Sequence, residues 1–329
     1  MANVIIGIHG LKNKPPESLL KEWWKLSMIE GLESGNHVSG LPQFQLVIWS
    51  DLLYEKPLDI YEKDPASPYF IDERYVRAGE DFQAGDHSSR QKINDYLGRQ
   101  MNRIFLNDDL SMNYSFITDA IISRYFTDLE LYYSGKRTIG PDRTENYGDL
   151  IRNRLSNELI KHRKDRIMLI GHSMGSVIAY DVLTFVVPDI RIDTFVTMGS
   201  PLALPVVMGK IGEEMKKKGF RRNNIMTPPG ITGHWYNYSD LLDKVAINYR
   251  LSDYYEQNSH GVKPEDFLVI NNYEINGANN PHKIFGYLRT PEFSRVLNDF
   301  ILSGKPSAGQ RITRALSDIL ERIGSKLGL

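Results

Sequence analysis

The chain has 329 residues, 41% of them hydrophobic and 25% charged, with a formal net charge of −1 and no cysteine. That balance describes an ordinary globular protein and excludes a disordered chain or a broadly basic nucleic-acid binder. Disulfide frameworks and thiolate chemistry are excluded with the missing cysteine. The opening MANVIIGIHG lacks a basic stretch and an apolar run of signal-peptide length, and no run of 18 apolar residues occurs anywhere. The expected location is therefore cytoplasmic, with no membrane-spanning helix.

Val4 to Ile8 is a β-branched run without alternation, the pattern of a strand buried on both faces. It ends in His9-Gly10-Leu11, a turn that would place backbone N–H groups at a strand's carboxyl end. Pro16 to Leu32 predicts a helix with Leu19, Leu20, Trp23, Trp24 and Leu26 on its apolar face. Phe44 to Trp49 predicts a second buried strand.

The strand–helix rhythm then stops. Asp86 to Leu106 and Ser111 to Tyr133 carry apolar residues at helical spacing, Phe116 and Tyr125 among them. So long a gap is not a normal connection, and 52–143 reads as an inserted helical cap. Its aromatic stripe would either pack the cap onto the body or line a substrate site.

Alternation resumes with a helix over Asn146 to Lys164 and an apolar strand from Ile167 to Ile170. Gly171-His172-Ser173-Met174-Gly175 follows and passes straight into a helix reaching Phe185. This is the strand–turn–helix setting of a G-x-S-x-G nucleophile elbow. A serine at so sharp a turn sits in a strained backbone, and glycines two residues either side let strand and helix approach closely. The N–H of Met174 and the helix start would face the charge that develops during attack.

Thr194 to Met198 predicts a strand, Pro205 to Lys218 a helix, His234 to Ser239 a fifth strand and Phe267 to Ile270 a sixth. Helices over His282 to Leu288 and Glu292 to Leu302 close a domain spanning 1–306. The fold class is α/β, a doubly wound, mostly parallel sheet of about six strands. Residues 307–329 read as a C-terminal amphipathic helix, with Ile312, Leu316, Ile319, Ile323 and Leu327 in one stripe. It would dock on the domain or a partner subunit, or make a peripheral membrane contact.

A serine hydroxyl needs a base. Asp240 and Asp243 both follow the fifth strand, and His282 follows the sixth, which gives the order Ser…Asp…His and puts all three groups at one sheet edge. His260 lies before the sixth strand and is the second candidate base. His172 would point away from the nucleophile, His234 would be a satisfied core group, and His162 would lack a partner. No histidine pair has metal-ligand spacing, so no metal and no cofactor are expected.

The strand-ending His9-Gly10, the GHSMG elbow, Met198-Gly199-Ser200-Pro201, Asp243-Lys244-Val245-Ala246 and His282 together resemble the α/β-hydrolase superfamily, in its lipase and esterase branches. The resemblance spans the chain apart from the insertion and the tail, and begins at the family's third strand. It implies a Ser173, His282, Asp243 triad, since the family's acid is commonly followed by x-V, and an oxyanion hole from the N–H groups of Leu11 and Met174. The implied activity is cleavage of a carboxylic ester, of a small molecule or a lipid, through an acyl-enzyme. An acyltransferase, or a non-catalytic binding module on the same frame, stays open, as does oligomeric state.

Overall fold

The structure, a computed structural model, describes residues 1–37, 40–79, 129–138, 144–219 and 224–303. Six strands pair in parallel: β1 (Asn3–Ile8), β2 (Gln43–Val47), β3 (Arg166–His172), β4 (Ile192–Met198), β5 (Ile231–Ser239) and β6 (Pro264–Leu268). Their order across the sheet is β6-β5-β4-β3-β1-β2. Between them run α1 (Glu17–Ser34), α2 (Tyr147–Lys161), α3 (Met174–Asp181) and α4 (Pro205–Lys217). After β6 come the single turn α5 (Ile284–Tyr287) and α6 (Pro291–Ser303).

The apolar strands lack a polar face because both faces are covered. Val4, Ile6 and Ile8 of β1 join Ile151 and Leu155 of α2, Val177 of α3 and Val207 of α4 in one core. Ile5, between them, joins Trp23, Trp24 and Met28 of α1 and Phe293 and Leu297 of α6 in the other. The period of two survives inside the apolar run as a choice of core.

From β1 the chain pairs β2 on one side and, much later, β3 on the other. The order therefore reverses at β1, and a crevice opens beyond the carboxyl ends of β1 and β3. His9-Gly10-Leu11 and Ser173 sit at that crevice.

The six expected strands all form, with small shifts. β6 starts earlier than expected, because an edge strand tolerates Pro264 as its first residue. The helix after Ser173 is α-helical only to Asp181 and widens into a π turn over Val182–Val186. Residues 53–79 of the insertion contain no helix. Residues 129–134 are helical, with Leu129 and Tyr132 buried in the core. A short antiparallel pair, Lys136–Thr138 with Thr144–Asn146, closes the region. The expected helix over 86–106, most of that over 111–133 with Phe116 and Tyr125, and the tail 307–329 lie outside the described residues. Among the described residues no helix is long and apolar enough to cross a membrane.

Candidate active site

β3 delivers Ser173 at its carboxyl end with φ 52° and ψ −126°, a left-handed conformation that costs a non-glycine residue about 1–3 kcal/mol. The strain is held by the surroundings. The Ser173 N–H donates to the Met198 carbonyl at 3.0 Å. A Cβ on Gly171 would come within 2.7 Å of the Ser176 Cα, and one on Gly175 within 2.3 Å of the Ile8 carbonyl oxygen. Strand, turn and helix pass so closely that only glycine fits at both places. Met174 is the first residue of α3, so its N–H is among those the helix leaves without an internal acceptor.

The turn after β1 lies beside Ser173. A Cβ on Gly10 would sit 2.7 Å from the Ser173 Cβ. His9 holds this turn from below. Its Nδ1–H donates to the Gly10 carbonyl at 2.8 Å, while its Nε2 accepts the Trp49 N–H at 3.1 Å. One ring nitrogen must carry a proton and the other must not, so the ring is neutral. Burial, Lys14 and Arg154 hold its pKa well below the usual histidine value. Lys14 Nζ donates to the carbonyls of Leu11 and Lys12, which fixes the loop from its other side.

Asp243 and His282 meet across 39 positions of sequence. The imidazole Nδ1–H donates to Asp243 Oδ2 at 2.8 Å, with Oδ1 at 3.0 Å. The carboxylate is buried, 1% exposed, and also accepts the Val245 N–H on Oδ1 and the Tyr287 hydroxyl on Oδ2, at 2.9 and 2.8 Å. Burial and Asp243 push the Tyr287 pKa well up, so the phenol remains a donor. Gly199, at φ 54°, passes so near that a Cβ would lie 2.7 Å from Asp243 Oδ2 and 3.0 Å from His282 Nδ1.

Asp240 does other work. Its two oxygens accept the N–H groups of Leu242 at 2.7 Å and Asn271 at 2.6 Å, which shapes the loop rather than facing His282. His260 is exposed and precedes β6, at the opposite edge of the parallel sheet from Ser173. The expectations for His234 and His162 need correction, and His172 has a partner of its own. His172 packs on the His282 ring, with centroids 4.9 Å apart, and its Nε2–H donates to the His282 carbonyl at 2.8 Å. Burial and the charge of His282 hold its own pKa well below the usual value. His234 lies on the surface against Glu265, and His162 is flanked by Glu158 and Asp165.

The loop that carries His282 had a sequence signal of its own. Glu274–Ile275 and Ala278–Asn279 form a hairpin around Asn276-Gly277, both at positive φ (52° and 74°), the turn that Asn-Gly favours. Among the described residues no group of three or more His, Asp or Glu could hold a metal ion.

Residues 109–217, about a third of the chain, match the family model described as a PGAP1-like alpha/beta domain. That stretch includes β3, the Ser173 turn, α3 and β4, and stops before Asp243 and His282. No curated protein matches the chain. With the six-stranded parallel sheet and its flanking helices, the match makes the fold that of the α/β-hydrolase superfamily.

Proposed function

We propose that this α/β-hydrolase-fold chain is a serine hydrolase that cleaves carboxylic esters through an acyl-enzyme. The observation that carries the reading is the hydrogen bond between His282 and the buried Asp243 carboxylate, at the same sheet edge as a serine held in a strained turn. A histidine oriented by a buried carboxylate keeps its Nδ1 proton toward the acid and offers Nε2 as base.

In the proposed reaction the Ser173 hydroxyl proton passes to His282 Nε2 as Oγ attacks the ester carbonyl. The N–H groups of Met174 and Leu11 hold the resulting oxyanion. Collapse breaks the C–O bond, and His282 returns the proton to the leaving alkoxide. Water then loses a proton to His282 and attacks the acyl carbon. The carboxylic acid leaves, and Ser173 recovers its hydrogen. His172 keeps the His282 backbone in place while staying neutral, so it adds no competing charge beside the imidazolium.

The test is covalent. A fluorophosphonate should label the protein on Ser173, and p-nitrophenyl esters of rising chain length should be turned over. Ser173→Ala should lose both, with the melting temperature almost unchanged. Labelling that persists on another serine in that variant would end the reading. A wild-type protein that neither labels nor hydrolyses would favour a binding module instead.

A further inference from the structure

The stretch that leaves the sheet after β2 does not wander over the surface. Near its start it meets the turn after β1: the Leu58 N–H donates to the Lys14 carbonyl at 2.9 Å, and the Asn13 amide donates to the Lys56 carbonyl at 2.8 Å. Near its end it is tied to α1 and to the region after β6. The Tyr75 hydroxyl donates to Glu30 at 3.0 Å, and the Arg289 guanidinium donates to the Val76 carbonyl at 2.7 Å. Between these anchors the chain passes the loop of His282, and Glu73 reaches into that loop.

Glu73 touches the residues on both sides of His282. Its Oε1 accepts the Asn280 side-chain amide, and its Oε2 accepts Lys283 Nζ at 2.9 Å. Asn280 in turn accepts the His282 N–H on Oδ1 at 3.0 Å. An asparagine amide presents an oxygen at one corner and two N–H groups at the other. A carboxylate that demands the N–H end fixes Oδ1 toward His282. The carbonyls of the same loop are held separately, by Asn271 on those of Pro281 and Lys283 and by His172 on that of His282. Those holds come from the sheet edge; Glu73 comes from the insertion.

We propose that Glu73 is a positioning residue for His282, and that residues 54–79 form a brace fixing the His282 loop relative to the Leu11 turn. The inference rests on the triad reading given above. Burial works to raise the Glu73 pKa, but Lys283, Asn280 and Lys12 more than offset it, so the carboxyl stays charged over the working range. The ion pair with Lys283 is partly solvated, with the two side chains 22% and 30% exposed, and such pairs add little to global stability. The effect of Glu73 is therefore on the geometry of the base.

Two readouts test this together: the fluorophosphonate labelling rate per folded molecule, and the low-field proton resonance of the His282 Nδ1–H bonded to Asp243. In Glu73→Ala the resonance should broaden or disappear, and labelling should slow by about tenfold, since small misplacements of a reacting group are costly. Glu73→Gln keeps an acceptor oxygen and should recover part of both. If the alanine variant does not fold, the glutamine variant carries the same two readouts. A lowered melting temperature with resonance and labelling rate kept would make Glu73 merely structural and overturn the proposal. Slower labelling with the resonance intact would overturn it as well, because the loss would then arise away from His282. The resonance does not require turnover. If the wild type is never labelled, the hydrolase reading fails while the resonance in the two variants still decides the role of Glu73.

Discussion

The Ser173 turn and the loops of Asp243 and His282 sit at one edge of one sheet, yet they are built by opposite means. The turn is local: β3, Ser173 and α3, with glycines at 171 and 175 where nothing larger fits. The Asp243–His282 pair is assembled from distant pieces. It draws on the loops after β5 and β6, with Tyr287 from α5, His172 from β3 and Glu73 from the insertion around it. Enlarging the glycines of the first should therefore appear as lost stability, and breaking the Asp243–His282 bond of the second as lost rate.

The largest expected effect is on rate. Asp243→Asn should lower kcat by about 10⁴, as when a triad aspartate is amidated and the histidine is held in the wrong tautomer. Asp240→Asn should leave most of the rate and lower stability by about 1–3 kcal/mol, because its buried oxygens serve the Leu242 and Asn271 N–H groups. Ester kinetics and chemical denaturation on both variants would check this, and the reverse ranking would move the acid to Asp240.

A smaller change should fall on the other side of the comparison. Gly175→Ala would put a Cβ 2.3 Å from the Ile8 carbonyl oxygen and force β1 and α3 apart. A loss of about 3 kcal/mol is expected, the upper range for overpacking, and urea unfolding would measure it. Full stability with low activity would mean that the turn is less rigid than its packing.

The smallest effect is a slope. His9 and His172 are buried and their pKa values are held well below the usual one, by burial first and by neighbouring cations second. The unfolded chain would take up protons there as the pH falls past about 6.5, while the folded chain would not. Their stability contribution is thus fully present above about pH 6.5 and is lost as the pH falls toward their folded values. Each can steepen the loss by up to about 1.4 kcal/mol per pH unit. His172→Gln should remove one share of that slope in denaturation experiments between pH 5 and 8. An unchanged slope would mean that His172 is charged or solvated in the folded protein.

The same contrast explains what could be read from residues alone. The sheet, the Ser173 turn and the order Ser…Asp…His follow from short patterns: buried β-branched runs, a glycine pair, strand-end positions. Choosing Asp243 over Asp240 by geometry needed the fold, since both are buried at one strand end and only their partners differ. His172, Tyr287 and Glu73 have no local signature. Each acts through a contact with a residue at least 44 positions away, and spacing carries no trace of such pairs. The Asn276-Gly277 hairpin is the reverse case, a local signal that marks where the His282 loop begins.

The position of β1 has a consequence for how the protein is made. Val4 to Ile8 is wholly apolar apart from Gly7 and lies inside the sheet, between β2 and β3. Its β2 partner follows within about forty residues, but the contact between Ala2 and Asp165 spans 163 positions. On the ribosome, one side of this strand stays without its neighbour until β3 has emerged. Loop closure of that length slows productive pairing, and an unpaired apolar strand is an aggregation hazard in the meantime. Nascent chains stalled before residue 166 should bind holdase chaperones through Val4–Ile8, and release should come once Arg166–His172 leaves the exit tunnel. Yield in expression would then be limited by the wait for β3 more than by the stability of the finished protein.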